Sequence, residues 1–364
     1  MGQDVIIVTG SCGRIGSNVV RKLGNKYRIV GFELLKAIYA APNEELVPVD
    51  LSSDESVAQA FTHIQSAYGN KIASVVHLAA YYSFDEQHSP LYDKVTVQGT
   101  ERLLKALQKF EVDQFIFSST MLVHAPCEPG CPIKESDPVD PKWDYPLSKV
   151  KTEKLIHELR GNMKAVILRI AGVYDDHCNS IPISHQIQRI YEKQLESRLF
   201  SGNVNHGASF LHMEDLVNAL VLAVEKRKQL PPEVVLLLGE PKTLSYDELQ
   251  RTISCLLFNK EFTTWRVPKL IAKIGAWIQG HIPFMPKPFI KPWMIDLADD
   301  HYELNISKAK QVLGWEPKHS LEETLPLMIE ELKKDPIAWY KANHLEMPHR
   351  LKTKIEKSKW MKYG

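Results

Sequence analysis

The chain has 364 residues, more than a single hydrophobic core readily serves, so one large domain or two unequal ones is the expectation. Its 45 Lys and Arg against 44 Asp and Glu leave a net charge of +1, which excludes the global field of a polyanion binder, and no nucleic-acid partner is expected. Five cysteines (Cys12, Cys127, Cys131, Cys178, Cys255) at irregular spacing argue against a disulfide framework and fit free thiols.

The opening MGQDVIIVTG runs into an apolar strand with no basic and then apolar leader, Gly2 lacks the Ser or Thr that myristoylation requires, and no run of 18 apolar residues follows. A cytoplasmic protein is the expectation. Short apolar runs then alternate with amphipathic stretches: VIIV at 5–8, YRIVGF at 27–32, ASVVHLA at 73–79, QFIFSS at 114–119 and AVILRI at 165–170. Runs apolar on both faces are what a parallel sheet covered by helices requires, so the fold class is α/β, a doubly wound parallel sheet.

The first strand delivers the chain into TGSCGRIGS, where Gly10, Gly13 and Gly16 alternate with Ser11, Cys12, Arg14 and Ile15 ahead of an amphipathic helix. Glycines there permit a tight turn and close approach of a pyrophosphate, and the helix start offers unpaired N–H groups. The second strand ends at Glu33, where a carboxylate accepts bonds from the ribose hydroxyls and repels a 2′-phosphate. NAD is therefore expected over NADP, with Lys36 close enough to weaken the preference.

Further on, the stretch YPLSK places Tyr145 four residues ahead of Lys149 at the start of a helical pattern, on one helix face. Past Arg169 the rhythm changes: a polar loop at 175–180, a helical stretch near 183–198, an apolar helix ending at Val224, a strand VVLLLG at 234–239, and a helix at 245–257 whose Ser245 and Glu248 make a capping box. Residues 265–296 are dense in Pro, Trp, Ile and Lys. The expected division is a dinucleotide-binding domain at 1–174, with 204–231 packing back onto it, a substrate domain at 175–345, and a basic tail at 346–364.

TGxxGxxG followed by YxxxK resembles the extended branch of the short-chain dehydrogenase/reductase family, which includes NAD-dependent epimerases, dehydratases and several alcohol dehydrogenases. DLSS at 50–53, HLAA at 77–80, FSST at 117–120, LRIAGVY at 168–174, FLHMEDL at 210–216 and ISKAKQVLGWEP at 306–317 extend the resemblance to about Leu325. It implies that Asp50 and Leu51 lie near the adenine, that Leu78, Ala79 and Ala80 lie under the cofactor, and that Tyr145, Lys149 and Thr120 form the catalytic set. In such enzymes the tyrosine takes a proton from a substrate hydroxyl or returns it to a carbonyl. The lysine holds the nicotinamide ribose, and the threonine bonds the substrate oxygen. A phenol with an ordinary pKa near 10 needs about 3–4 kcal/mol of help to act as a base around neutrality. A homodimer is implied by resemblance alone.

Several positions depart from the family pattern. Met121 and Leu122 follow Thr120 where the nucleotide-sugar 4,6-dehydratases carry an acid pair, and Gly172 and Ala208 stand where many nucleotide-sugar enzymes place Asn and Arg on the diphosphate. Thr96, His124 and Ala125 also replace usual residues, while Trp265, Trp277, Phe284, Phe289, Trp293 and Met294 offer an apolar pocket lining. The leading expectation is thus an NAD-dependent oxidoreductase interconverting a secondary alcohol and a ketone on a non-nucleotide substrate that is small or moderately apolar. A redox-neutral sugar or nucleotide-sugar epimerase and a non-catalytic NAD-binding regulator are the alternatives. No metal is expected, although His124, Cys127 and Cys131 have suggestive spacing. The basic tail and the lysine-bearing 265–294 segment allow peripheral membrane contact, with a solvated tail as the plainer expectation.

Overall fold

The computed structural model describes residues 3–34, 44–83, 87–281 and 290–353; Lys36, Phe284, Phe289 and the tail beyond 353 lie outside them. In chain order the first half runs β1 (Val5–Thr9), α1 (Arg14–Leu23), β2 (Arg28–Glu33), β3 (Glu44–Pro48), α2 (Asp54–Tyr68), the short β4 (Lys71–Ile72), β5 (Ser74–His77), α3 (Gln98–Leu107), the short β6 (Glu111–Val112), β7 (Gln114–Thr120), α4 (Asp144–Leu159) and β8 (Lys164–Ile170). The second half runs β9 (Gly172–Tyr174), α5 (Ile181–Tyr191), β10 (Leu199–Phe200), β11 (Phe210–His212), α6 (Met213–Glu225), β12 (Glu233–Leu238), α7 (Tyr246–Phe258), β13 (Trp265–Arg266), α8 (Lys269–His281), α9 (Pro292–Asp296), α10 (Ser307–Leu313), α11 (Leu321–Lys334) and α12 (Pro336–Ala342).

Seven parallel strands form the main sheet in the order β12-β8-β7-β5-β1-β2-β3. Successive side chains of a strand point to opposite faces. In β1, Ile6 and Val8 join the cluster under α1 and α6, while Val5 and Ile7 join the one under α2, α3 and α4. Both faces of VIIV are therefore buried, which accounts for its unbroken apolar run. From β1 the chain works outward to β3 and then returns to β5 on the other side, opening a crevice at the carboxyl ends of β1 and β5.

β3 is absent from the sequence expectation because EELVP carries two charges and sits at the sheet edge, where one side needs no apolar contact. β12 corrects the domain division. Although it falls inside the span assigned to the substrate domain, its run EVVLLL pairs with β8 from Glu233↔Ala165 to Leu238↔Ile170 and extends the main sheet. α6 packs against α1. A third cluster, including Tyr174, Ile187, Ile253, Leu325, Met328 and Tyr340, forms the core of the C-terminal part. There the Ser245–Glu248 capping box is formed as expected: Ser245 Oγ accepts the Glu248 N–H at 3.2 Å, and Glu248 Oε2 accepts the Ser245 N–H at 2.8 Å. Asp215 joins the two parts: its buried carboxylate accepts the His319 backbone N–H at 2.9 Å, and its carbonyl accepts Trp315 Nε1–H. Among the described residues no helix is long and apolar enough to cross a membrane.

Candidate active site

The glycine loop sits at the crevice. Gly10 has φ +69°, a conformation L side chains rarely adopt, and its N–H donates to the Phe32 carbonyl at 2.9 Å. A Cβ on Gly16 would lie 2.1 Å from the Gly10 carbonyl oxygen, so helix and loop approach too closely for any side chain. Thr9 Oγ1 accepts the Leu78 and Ala79 N–H groups at 3.2 and 3.1 Å and bonds His77 Nδ1 at 2.7 Å, while His77 Nε2 bonds Thr100 at 2.8 Å. Burial, with Lys149 nearby, pushes this imidazole down to about 3, so it stays neutral and serves as a rigid strut under the loop.

Glu33 accepts the Cys12 N–H at 3.1 Å on one oxygen and the Leu34 N–H on the other, which ties the end of β2 to the loop. Ser11 is buried beside Gly31, and Ile15 packs on the core under α1. Arg14 turns its guanidinium away, to Asp175 at 3.0 Å and the Asn179 carbonyl, so its own backbone N–H at the start of α1 is what remains for a phosphate. Asp50 is exposed, its carboxyl held below the usual range by the Ser52 hydrogen bonds, and Leu51 packs its side chain next to Gly99. Ala80 continues from the Leu78 and Ala79 pair and is half-buried. Glycines where a Cβ would clash, a helix start behind them and an acid at the end of β2 together fit a dinucleotide.

Thr120, Tyr145 and Lys149 meet at the carboxyl end of β7. Thr120 ends that strand and accepts the Leu122 N–H at 3.3 Å as the cap of a short turn. α4 begins at Asp144, which places Tyr145 and Lys149 one turn apart. Lys149 is buried: Nζ donates to the Ser118 carbonyl at 2.7 Å and lies 4.8 Å from the Phe117 ring centre and 5.8 Å from that of Tyr145. Burial pushes its ammonium down to about 7, against the opposing pull of Glu153 one turn further on. Burial likewise pushes the Tyr145 phenol up to about 12, opposed by a hydrogen bond with Thr120 and reinforced by the neighbouring Tyr92 phenol.

Behind this set lies a buried ion pair. Arg169 Nη2 donates to Glu153 Oε2 at 2.7 Å, Nε donates to Oε1, and Nη1 donates to His124 Nε2 at 2.9 Å. Burial, together with Arg169, pushes the His124 imidazole down to about 4, leaving it neutral and able to accept that bond. His124 is thus committed to the pair, and Cys127 accepts the Glu303 N–H instead. Among the described residues no group of three or more His, Cys, Asp and Glu is arranged to hold a metal.

One feature is absent from the sequence reading. Tyr145 is ringed by aromatic side chains, with Tyr82 at 4.8 Å, Trp143 at 5.5 Å and Tyr92 at 6.2 Å between ring centres, and Trp293 of α9 stands 5.3 Å from Trp143. The available signals were the tyrosine pair directly after HLAA and a tryptophan two residues before Tyr145. Of the aromatic residues proposed from the C-terminal region, Trp293 reaches this wall, whereas Trp265 and Trp277 are more than half exposed. Where the family's asparagine would stand, the Phe210 ring closes over Gly172, and a Cβ would meet it at 2.9 Å.

The sequence profile described as the NAD dependent epimerase/dehydratase family matches residues 6–239. A UDP-glucose 4-epimerase of Vibrio cholerae is 27% identical over 331 residues, covering 87% of this chain and 92% of that protein. A 3 beta-hydroxysteroid dehydrogenase type 7 of Mus musculus is 24% identical over 362 residues, covering 88% and 93%. Among solved structures, a UDP-glucuronic acid 4-epimerase from Bacillus cereus, in complex with UDP-glucuronic acid and NAD, superimposes with a TM-score of 0.68 at 21% identity, covering 91% of this chain and 99% of that one. At that identity the likeness establishes a shared fold.

Proposed function

The chain belongs to the NAD-dependent epimerase/dehydratase family, and from that premise we propose that it binds NAD on the glycine loop and moves a hydride between NAD and a secondary alcohol carbon. The observation that carries the reading is the convergence of Thr120, Tyr145 and Lys149 at the crevice. NAD, when bound, supplies the hydride acceptor and a positive charge. Tyr145 takes the hydroxyl proton of the substrate as the hydride leaves and returns it in the reverse step, Thr120 holds the phenol and the substrate oxygen, and Lys149 supplies a cation beside the phenolate.

Two ways of using that half-reaction differ in where the hydride goes. Redox-neutral epimerisation, in which it returns to the other face of the same carbon, is the reading supported by the near full-length similarity to UDP-glucose 4-epimerases. This reverses the order of preference drawn from the sequence. Net dehydrogenation of an apolar alcohol is the second reading, favoured by the aromatic wall, by Phe210 over Gly172, and by the similarity to hydroxysteroid dehydrogenases. A regulator without turnover is set aside, because the family is one of enzymes.

The test is to incubate the protein with UDP-glucose and follow the C4 epimer by NMR, and in parallel to offer a 3β-hydroxysteroid with NAD and follow NADH absorbance. Epimer formation abolished by Tyr145→Phe supports the first reading. Stoichiometric NADH from the steroid alone replaces it with the second, and turnover unaffected by Tyr145→Phe defeats both.

A further inference from the structure

An ordinary surface helix turns its charges outward and its large apolar side chains inward. α8 does the reverse. Lys269 Nζ lies 2.7 Å from Asp299 Oδ2 and 3.0 Å from the Asp296 carbonyl, and Lys273 Nζ lies 2.5 Å from Asp296 Oδ1, so both lysines are turned onto α9 and the turn that follows it. Pointing outward are Leu270, Ile271, Ile274 and Ile278, exposed by 71, 59, 51 and 46%, with Trp277 exposed beside them. Spacings of three and four residues put these side chains on one stripe, an apolar face turned to solvent while the helix's lysines are turned away from it.

We propose that α8 is an interfacial helix that lies in the surface of an anionic lipid bilayer with this stripe in the acyl boundary. Its 13 residues span about 20 Å, too short to cross a membrane but suited to lying in its plane. Arg266, just ahead of the helix, and Lys291, just ahead of α9, flank it with positive charge that anionic headgroups attract. Trp265, more than half exposed just ahead of the helix, has the amphipathic ring favoured at headgroup depth. A second copy of the chain is the poorer match, since one face of a 20 Å helix offers roughly 200 Å², against about 800 Å² per partner in a stable interface. The proposal goes beyond the catalytic reading and holds for either substrate class.

Co-sedimentation of the full chain with vesicles tests it, using phosphatidylcholine alone and phosphatidylcholine with about a third phosphatidylserine. The wild type should pellet with the anionic vesicles and remain largely in solution with the neutral ones. Ile274→Glu should weaken binding at least ten-fold while leaving the melting temperature and NAD binding unchanged, since the side chain is exposed and is not part of the glycine loop. A wild type that stays in solution with both vesicles overturns the proposal, as does binding that Ile274→Glu leaves intact. A dimer in size-exclusion chromatography with light scattering that Ile274→Glu dissociates also overturns it, by showing that a second copy covers the stripe.

Discussion

Replacing Lys149 by Met should impose a loss of rate that shrinks as the pH rises. The lysine Nζ is 5.8 Å from the centre of the Tyr145 ring. At an effective dielectric of about 20, a unit charge at that distance stabilises the phenolate by roughly 3 kcal/mol, about two pKa units. With the lysine neutral the phenol sits at about 12, and with it charged the phenol falls to roughly 10. The lysine itself sits at about 7, so the reactive pair, charged lysine with phenolate, fills as the first proton leaves and then stays at a constant small fraction from about pH 8 upward. In Lys149→Met the phenolate must form unaided and grows ten-fold per pH unit. The expected deficit is roughly 50-fold at pH 7, ten-fold at pH 8 and close to nothing at pH 9, on top of any pH-independent loss from weaker cofactor positioning. Initial rates from pH 6 to 10 on any substrate the enzyme turns over give both parts. A deficit of constant size across that range would refute the electrostatic role and leave only a positioning one.

Three further substitutions address the frame around this pair. Gly16→Ala should abolish NAD binding and destabilise the protein in urea titrations, because its methyl group would stand 2.1 Å from the Gly10 carbonyl oxygen. Arg169→Met should cost about 3–5 kcal/mol by leaving Glu153 buried without its cation, and Arg169→Met combined with Glu153→Met should recover most of that in a double-mutant cycle. Glu240 is buried and accepts the Leu321 N–H at 2.9 Å, and burial pushes its carboxyl up to about 7. The folded state therefore keeps a proton that the unfolded chain releases above its ordinary pKa near 4.5. Stability on this account falls by roughly 3 kcal/mol as the pH rises from about 4.5 to 7, and Glu240→Gln, which keeps an acceptor for Leu321, should flatten that stretch of the urea stability curve.

The sheet was legible because its strands are buried on both faces, so VIIV, QFIFSS and AVILRI stand out without any knowledge of their partners. β3 was not, since an edge strand with two glutamates lacks that mark. β12 was readable as a strand but not as a member of the main sheet, because pairing is a property of two segments and its sequence specifies only one. In the site, Gly10, Gly13 and Gly16 and the Tyr145–Lys149 pair announce themselves by spacing. The aromatic wall does not, because Tyr82, Tyr92, Trp143 and Trp293 come from four separate stretches that only the fold brings together. Arg14 shows the opposite limit: its place in the loop suggests a phosphate contact, while its guanidinium is taken up by Asp175 and Asn179 across the crevice. The 265–294 segment stood out by composition, but the outward apolar face of α8 did not, since the pairing of Lys269 and Lys273 with the acids at 299 and 296 is set by the fold.

The central claim is that NAD stays on this chain and its hydride is handed back within one site. Denaturing protein purified without added cofactor and quantifying the released dinucleotide per chain tests it most directly. The account predicts close to one NAD per chain and no NADP. A chain that emerges empty and takes up NAD reversibly would contradict the redox-neutral cycle, and NADP in its place would contradict the role assigned to Glu33.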